Sequence, residues 1–234
     1  MIAGDKGMLL KGAGLFGGTF NPIHNGHLRV AEEVRESFNL SKIYFIPSAI
    51  PPHKNSVGLA DAADRFEMIS RAVAAHPEFV VSDAEIKRQG WSYTIDTVRY
   101  FRTVLPENTP CCLLVGSDAF LEIETWKAFD ALFDHIPMIV MRRPGPDASH
   151  DERFRENVAT ILTTAISKAY RFSTDRSVFE NPRKQPVFLF NVTSLDISST
   201  RIRHLVRQGR SIRFLVPDVV DEYIQSRGLY HDPS

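Results

Sequence analysis

The chain has 234 residues, 43% of them apolar, and its 28 Lys and Arg balance 28 Asp and Glu to a formal net charge of zero. That length allows one large α/β domain or two small ones. The charge balance excludes an overall positive field that would draw in nucleic acid, so an anion site must be built locally. No run approaches the roughly 18 to 20 apolar residues of a membrane span.

Near the N-terminus Asp5, Lys6 and Lys11 interrupt any signal-peptide core. Gly14–Phe16 reads as the first strand, and Leu28, Ala31, Val34 and Phe38 form a helical stripe after it. A second strand is expected at Ile43–Pro47, a helix carrying Phe66, Ile69 and Val73, and a third strand at Phe79–Ser82. Ile95, Val98 and Phe101 mark the next helix, followed by strands at Cys111–Val115 and Met138–Met141. Cys111 and Cys112 are adjacent and cannot form an ordinary structural disulfide with each other, which favours a reducing, cytoplasmic setting.

Residues 144–186 read as a polar helix from about Asp151 to Ala169 and then an exposed loop before the last strand, Val187–Asn191. Ile202, Leu205 and Val206 continue the helical pattern, and Val219, Tyr223 and Ile224 end it. Short apolar runs bounded by Pro, Gly or Ser are how strands buried on both faces read. Their alternation with amphipathic helices predicts a doubly wound, mostly parallel α/β sheet of Rossmann-like type. We read residues 1–234 as a single domain, with a core at 12–196 and a C-terminal helical part at 197–234.

In open parallel sheets ligands bind beyond the C-terminal ends of the strands. The segments there are rich in polar and special residues: "GGTFNPIHNGH", "PSAIPPHK", "RQGWSYTIDT", "GSDAF", "RRPG" and "DISSTRIR". The first holds two competing signals. Gly12, Gly14 and Gly17 fit G-x-G-x-x-G, yet they fall before or within the first strand, and no carboxylate closes the second strand to hold a ribose. Against this, Asn21-Pro22 makes a turn and Asn25-Gly26 places His27 in the first turn of a helix, so that His24 and His27 point together. Two imidazoles at a helix N-terminus suit phosphate.

"GGTFNPIHNGHL" resembles the T/HxGH signature of the nucleotidyltransferase superfamily, although Asn21 stands where many bacterial members carry Asp. "PPHK", "SYTIDT", "GSDAF…TW", "RRPG" and "ISSTRIR", in that order, are similar to the bacterial nicotinate mononucleotide adenylyltransferase family, in register from about Gly14 to Tyr230. The resemblance implies adenylyl transfer from ATP to nicotinate mononucleotide, with magnesium accompanying ATP, no protein metal site and no nucleic-acid or membrane partner. It sets His24, His27 and Arg203 at the reacting phosphates, and the main chain of Gly17, Gly18, Thr19 and Phe20 along the phosphate path. Ser199 and Thr200, at a helix start, and Gly116 and Asp118 also fall to ATP, with Asp118 a partner of magnesium or a helix cap. Lys54, Tyr93, Thr94 and Trp126 fall to the mononucleotide, Trp126 as the stacking residue for its pyridine ring. Trp91 and Tyr93 have core roles open to them as well. The rival readings are adenylylation of nicotinamide mononucleotide or phosphopantetheine, a non-catalytic NAD-binding module, and a class I synthetase fragment.

Overall fold

The computed structural model describes residues 12–50, 58–88, 90–143 and 148–231. In chain order the elements begin β1 (Ala13–Gly18), α1 (Asn25–Ser37), β2 (Lys42–Pro47), α2 (Ala62–Val73), β3 (Phe79–Val81) and α3 (Ala84–Lys87). They continue with α4 (Thr94–Val104), β4 (Cys111–Gly116), α5 (Ser117–Leu121), a 3-10 turn at Ile123–Thr125, α6 (Phe129–His135) and β5 (Met138–Arg142). After these come α7 (Ala148–Ile161), a π-helical turn at Leu162–Ile166, β6 (Arg171–Ser173), β7 (Val178–Glu180), β8 (Val187–Asn191), α8 (Ser199–Arg207) and α9 (Asp218–Arg227). All six strands expected from the sequence are present. Among the described residues no helix is long and apolar enough to cross a membrane.

The chain forms two compact units. One comprises residues 12–15, Glu33–Ser41 and Tyr93–Ser194. Within it β4 pairs with β5 and β5 with β8, all parallel, with Leu113 beside Met138 and Ile139 beside Phe188. Every residue of β5 is buried, as a strand covered on both faces requires. Ile95, Val98 and Phe101 of α4 are buried together with Leu132 and Phe133 of α6. Phe38 sets its ring 5.5 Å from Phe188 and 5.4 Å from Phe190.

The weakly patterned stretch of the sequence differs from expectation here. The helix begins at Ala148 and gives way to the π-helical turn at Leu162 instead of running to Ala169. Thr163 donates its hydroxyl to Ala159 O and Thr164 to Thr160 O, each at 2.7 Å, and Ser167 N–H closes the wide turn on Leu162 O at 2.8 Å. Hydroxyls bonded back to the preceding turn compete for the helical carbonyls and distort the ladder. The expected exposed loop at 170–186 carries β6 and β7 instead, with β6 antiparallel to β7 and β7 antiparallel to β8. Arg142, the last residue of β5, is buried and ion-paired to Asp151 of α7, with its guanidinium 5.4 Å from the Phe154 ring centre. The helix within residues 144–186 therefore carries the carboxylate that compensates a buried cation.

The other unit comprises Phe16–Glu32, Lys42–Ser92 and Leu195–Ser234. Here β2 and β3 pair parallel, Ile43 beside Phe79. Phe16, Phe20, Phe45 and Phe79 form a chain of rings 5.4 to 5.8 Å apart. The buried residues of α2 are Asp64, Arg65, Met68, Ile69, Ala72 and Val73, so that Ile69 and Val73 of the expected stripe lie inside and Phe66 is half-buried. In α9, Val220 and Ile224 are buried and Val219 is exposed, which corrects the expected stripe by one residue. Capping at Pro217 sets a helical phase in which positions 220 and 224, one turn apart, share the inner face. Tyr223 lies at the edge of that face and donates its hydroxyl to Asp64 Oδ1 at 2.8 Å.

Candidate active site

The histidine signal proves to be a built structure. β1 runs to Gly18, and the chain turns through Thr19, a left-handed Phe20 at φ +48° and a cis Asn21–Pro22 peptide into α1. The rings of His24 and His27 stack with centroids 3.7 Å apart and planes 19° apart. Each ring accepts from the other residue's main chain. His24 N–H donates to His27 Nδ1 and His27 N–H to His24 Nδ1, both at 3.3 Å. An imidazole nitrogen that accepts carries no proton, so the proton of each ring sits on Nε2. The pair thus presents two Nε2–H donors from a helix N-terminus, a combination matched to phosphate oxygens.

Gly26 makes this stack possible. A Cβ at that position would stand 3.0 Å from His24 Nδ1 and 3.1 Å from Cε1. Phe20 closes the other side, its ring 5.0 Å from that of His27. Gly17 is exposed, and a Cβ there would meet nothing within 4 Å, so ligand can approach the main chain at this point.

Three successive supports fix the loop between β1 and α1. Arg65 Nη1 donates to Thr19 O, Arg203 Nη1 to Asn21 O and Ser199 Oγ to Pro22 O, each at 2.8 Å. The Asn21 side chain joins further segments of this unit. Its Nδ2 donates to Gly58 O at 2.9 Å, and its Oδ1 accepts from Ala60 N at 3.0 Å and from Tyr230 Oη at 2.8 Å. The amide faces one carbonyl and one N–H, so the position uses both halves of an amide. Burial raises the Tyr230 pKa, with Arg203 and Arg65 opposing the shift, and the phenol remains a donor at neutral pH.

Ser199 and Thr200 open α8 as expected, but the residue that caps it is Ser198, whose Oγ accepts from Arg201 N at 3.2 Å. The side chains of Ser199 and Arg203 hold the His-bearing loop, a role the local sequence does not show. Burial lowers the Arg203 pKa from its ordinary value, with Tyr230 opposing the shift, and its Nε is buried without a partner. A guanidinium carries five donors in a fork, so one edge can hold Asn21 O while others meet phosphate.

Arg65 is the largest omission from the sequence reading. It is 1% exposed, and its guanidinium reaches three main-chain carbonyls: Thr19, Ala60 at 2.9 Å and Ala49 at 3.2 Å. A signal for it exists in the sequence, since position 65 falls on the apolar stripe of α2 with Met68, Ile69 and Ala72. A charge on that stripe marks a buried partner.

Tyr93, Thr94, Gly116, Asp118 and Trp126 belong to the other unit. Tyr93 caps the N-terminus of α4 and Thr94 is its first residue. Trp126 follows the 3-10 turn, half-buried, with its N–H on Ile123 O at 2.9 Å. Its neighbour Lys127 places Nζ 4.4 Å from the Tyr93 ring centre and 3.1 Å from Asp96 Oδ2, which joins the turn bearing Trp126 to the first turn of α4. Trp91 is 52% exposed, so the core role open to it is not taken up. Gly116 ends β4 and precedes α5, where Asp118 lies exposed in the first turn. Gly116 holds the N-cap position of α5 and Asp118 stands inside its first turn, so Asp118 is not the N-cap residue. Lys54 lies outside the described residues.

Residues 15–205 match the family described as cytidylyltransferase-like. A protein of Geobacter sp. (strain M21) named "Probable nicotinate-nucleotide adenylyltransferase" is 42% identical over 219 residues, which is 94% of this chain and 98% of that protein. One of the same name from Pseudomonas aeruginosa (strain UCBPP-PA14) is 39% identical over 223 residues, covering 95% and 99%. The Plasmodium falciparum nicotinic acid mononucleotide adenylyltransferase complexed with NaAD superposes with a TM-score of 0.69 at 18% identity, over 94% of this chain and 97% of that one. This likeness shows the fold, a mostly parallel sheet flanked by helices. Near-complete coverage at this identity, over a chain whose stacked histidines and supported loop realise the T/HxGH signature, places the protein in the nicotinate-nucleotide adenylyltransferase family of nucleotidyltransferases.

Proposed function

We propose that this protein transfers the adenylyl group of ATP to nicotinate mononucleotide, giving nicotinate adenine dinucleotide and pyrophosphate. The observation that carries the reading is the stacked His24–His27 pair, fixed as Nε2–H donors at the start of α1. The 5′-phosphate of the mononucleotide supplies an oxygen that bonds to the α-phosphorus of ATP. The bond from that phosphorus to the α–β bridging oxygen breaks, and pyrophosphate leaves with the electron pair. A phosphate dianion needs no protein base, so the protein aligns the groups and stabilises charge on the phosphoryl group and the leaving pyrophosphate.

His27 and His24 donate to ATP phosphate oxygens, and Arg203 adds positive charge beside them. The main chain of Gly17–Phe20 and the first turn of α8, at Ser199 and Thr200, supply N–H donors. Gly116 and Asp118 also belong to the ATP site in this reading. Trp126 stacks on the pyridine ring, and Tyr93 and Thr94 at the start of α4 hold its substituent, while Lys54 meets the mononucleotide phosphate. Magnesium arrives on the nucleotide. Among the described residues no group of three or more His, Cys, Asp or Glu is placed to hold a metal, and this ion ordinarily keeps phosphate and water oxygens. Cys111 and Cys112 are both free thiols, which supports a cytoplasmic setting.

The test is pyrophosphate release from Mg-ATP with nicotinate and nicotinamide mononucleotides supplied in parallel, for the wild type and His27→Ala. Release with the acid well above the amide, lowered about 100-fold or more in turnover by His27→Ala, is the expected result. Equal release with both nucleotides removes the acid selectivity. A His27→Ala turnover near that of the wild type overturns the role given to the histidine.

A further inference from the structure

Ser48 directly follows β2, and its hydroxyl is, with Arg203 Nε, one of two buried side-chain polar atoms without a partner among the described residues of its unit. The residue is 9% exposed, and its Oγ is buried with no hydrogen-bond partner. An unpaired buried hydroxyl lowers stability and is rarely kept without a use. The main chain at Ser48 and Ala49 is tied. Ser48 N–H donates to Gly18 O at 2.9 Å, Ala49 N–H donates to Ser92 Oγ at 2.9 Å, and Ala49 O accepts from Arg65. The hydroxyl therefore sits on a fixed main chain, one hydrogen bond from the last residue of β1.

Arg65 braces this place from within. Its three partners are neutral carbonyls, and among the described residues no carboxylate forms a salt bridge with it. The carboxylates of Asp61 and Glu85 favour its charge, and the guanidinium places its donors on the segments that follow β1 and β2, Thr19 on one side and Ala49 on the other. A donor without a partner, on rigid main chain beside a buried guanidinium, is matched to an acceptor oxygen such as that of a phosphate.

We infer that Ser48 is a substrate-binding residue whose hydroxyl donates to a phosphate oxygen of a bound nucleotide, with the buried charge of Arg65 behind it. This rests on the adenylyl-transfer reading, in which both substrates carry phosphate. The hydroxyl is unpaired in the free protein and paired in the complex, so its removal has opposite effects on folding and on binding.

The experiment compares wild type, Ser48→Ala and Ser48→Cys. Steady-state pyrophosphate release is measured with ATP varied at saturating nicotinate mononucleotide, and then the reverse. Titration calorimetry follows each nucleotide alone, and thermal unfolding follows the free proteins. Ser48→Ala is expected to raise the KM and Kd of one nucleotide about tenfold, as for a lost hydrogen bond to a charged group. Ser48→Cys, a weak donor, falls between. The Tm of the free Ser48→Ala protein is expected to stay level or rise by a few degrees, about 2 °C or more. A rise confined to ATP identifies the adenylyl donor as the ligand of Ser48, and one confined to the mononucleotide identifies the acceptor. Unchanged constants for both nucleotides overturn the inference, and so does a lowered Tm, which shows that the hydroxyl is already paired before substrate binds. If the wild type releases no pyrophosphate, the adenylyl-transfer reading fails, and the calorimetry and Tm still judge Ser48 by themselves.

Discussion

Replacing Arg65 with Met is the sharpest test of how the His-bearing loop is held. Methionine keeps most of the volume on the inner face of α2 beside Met68 and Ile69, but it removes donors to Thr19 O, Ala60 O and Ala49 O. Swapping a buried ion pair for apolar side chains is often harmless, because both charges leave together. Here the acceptors are main-chain carbonyls, which stay behind. Each carbonyl left unpaired costs about 1 to 3 kcal/mol. Relief of the guanidinium's burial, visible in its lowered pKa, offsets part of this, as does water entering near Thr19. The net expectation is a loss of about 3 kcal/mol. At roughly 2 to 4 °C per kcal/mol for a chain of this size, Tm should fall by about 6 to 12 °C. Urea and thermal unfolding measure the stability, and pyrophosphate release below the new Tm measures the effect on the loop. A variant within about 1 kcal/mol of the wild type would refute the claim that this arginine ties the loop after β1 to the start of α2.

Gly26→Ala should separate activity from stability. Alanine is favoured over glycine in a helix by about 1 kcal/mol, whereas the new methyl group presses on the His24 ring, so Tm holds or rises while turnover falls about tenfold or more. Unchanged turnover would show that the stacked geometry does not matter. Trp126→Ala should raise the KM for the mononucleotide about tenfold and leave that for ATP unaltered; a raised ATP KM counts against its stacking role. A pH dependence follows from Tyr230, whose folded pKa is raised, chiefly by burial, above the ordinary tyrosine value of 10.0. Its contribution to stability is whole below pH 10 and is lost as pH rises from there toward the folded value. Urea midpoints between pH 8 and 11 should therefore decline less steeply in Tyr230→Phe, about those pH values, than in the wild type, and parallel slopes would show that the phenol does not titrate with folding.

Local chemistry explains which features were legible in the sequence. The strands at 43–47, 111–116 and 138–142 are near-continuous apolar runs ended by Pro, Gly or Arg, so burial on both faces wrote them plainly. β6 and β7 were not legible. Each has three residues, β6 pairing with β7 and β7 with β8, so the pairing and not the composition makes them strands. The π-helical turn was hidden for a related reason, since Thr160, Thr163 and Thr164 look like ordinary helix residues until their hydroxyls are seen on the preceding carbonyls. In α9 Ile224 lies inside as expected, but Val220 and not Val219 joins it, because two adjacent valines look alike until the packing picks one.

The candidate site divides along the same line. His24, His27 and Gly26 were readable because their contacts lie within one turn of helix. The supports of that turn come from far along the chain: Arg65 reaches Thr19 from 46 residues away, Ser199 reaches Pro22 from 177, and Arg203 reaches Asn21 from 182. Read locally, Ser199 and Arg203 are donors at a helix start, suited to phosphate. In the structure they also fix the loop that aims the histidines. The two roles reinforce each other, because donors that must meet charge developing during the reaction are most effective when they need not reorganise to do so. A helix that both supplies N–H groups and holds the neighbouring loop lets one packing arrangement set the position of every donor in this unit. By this argument the "ISSTRIR" and "HNGH" motifs are halves of one device, and a substitution at Ser199 should disturb the histidine pair even where it leaves the first turn of α8 intact.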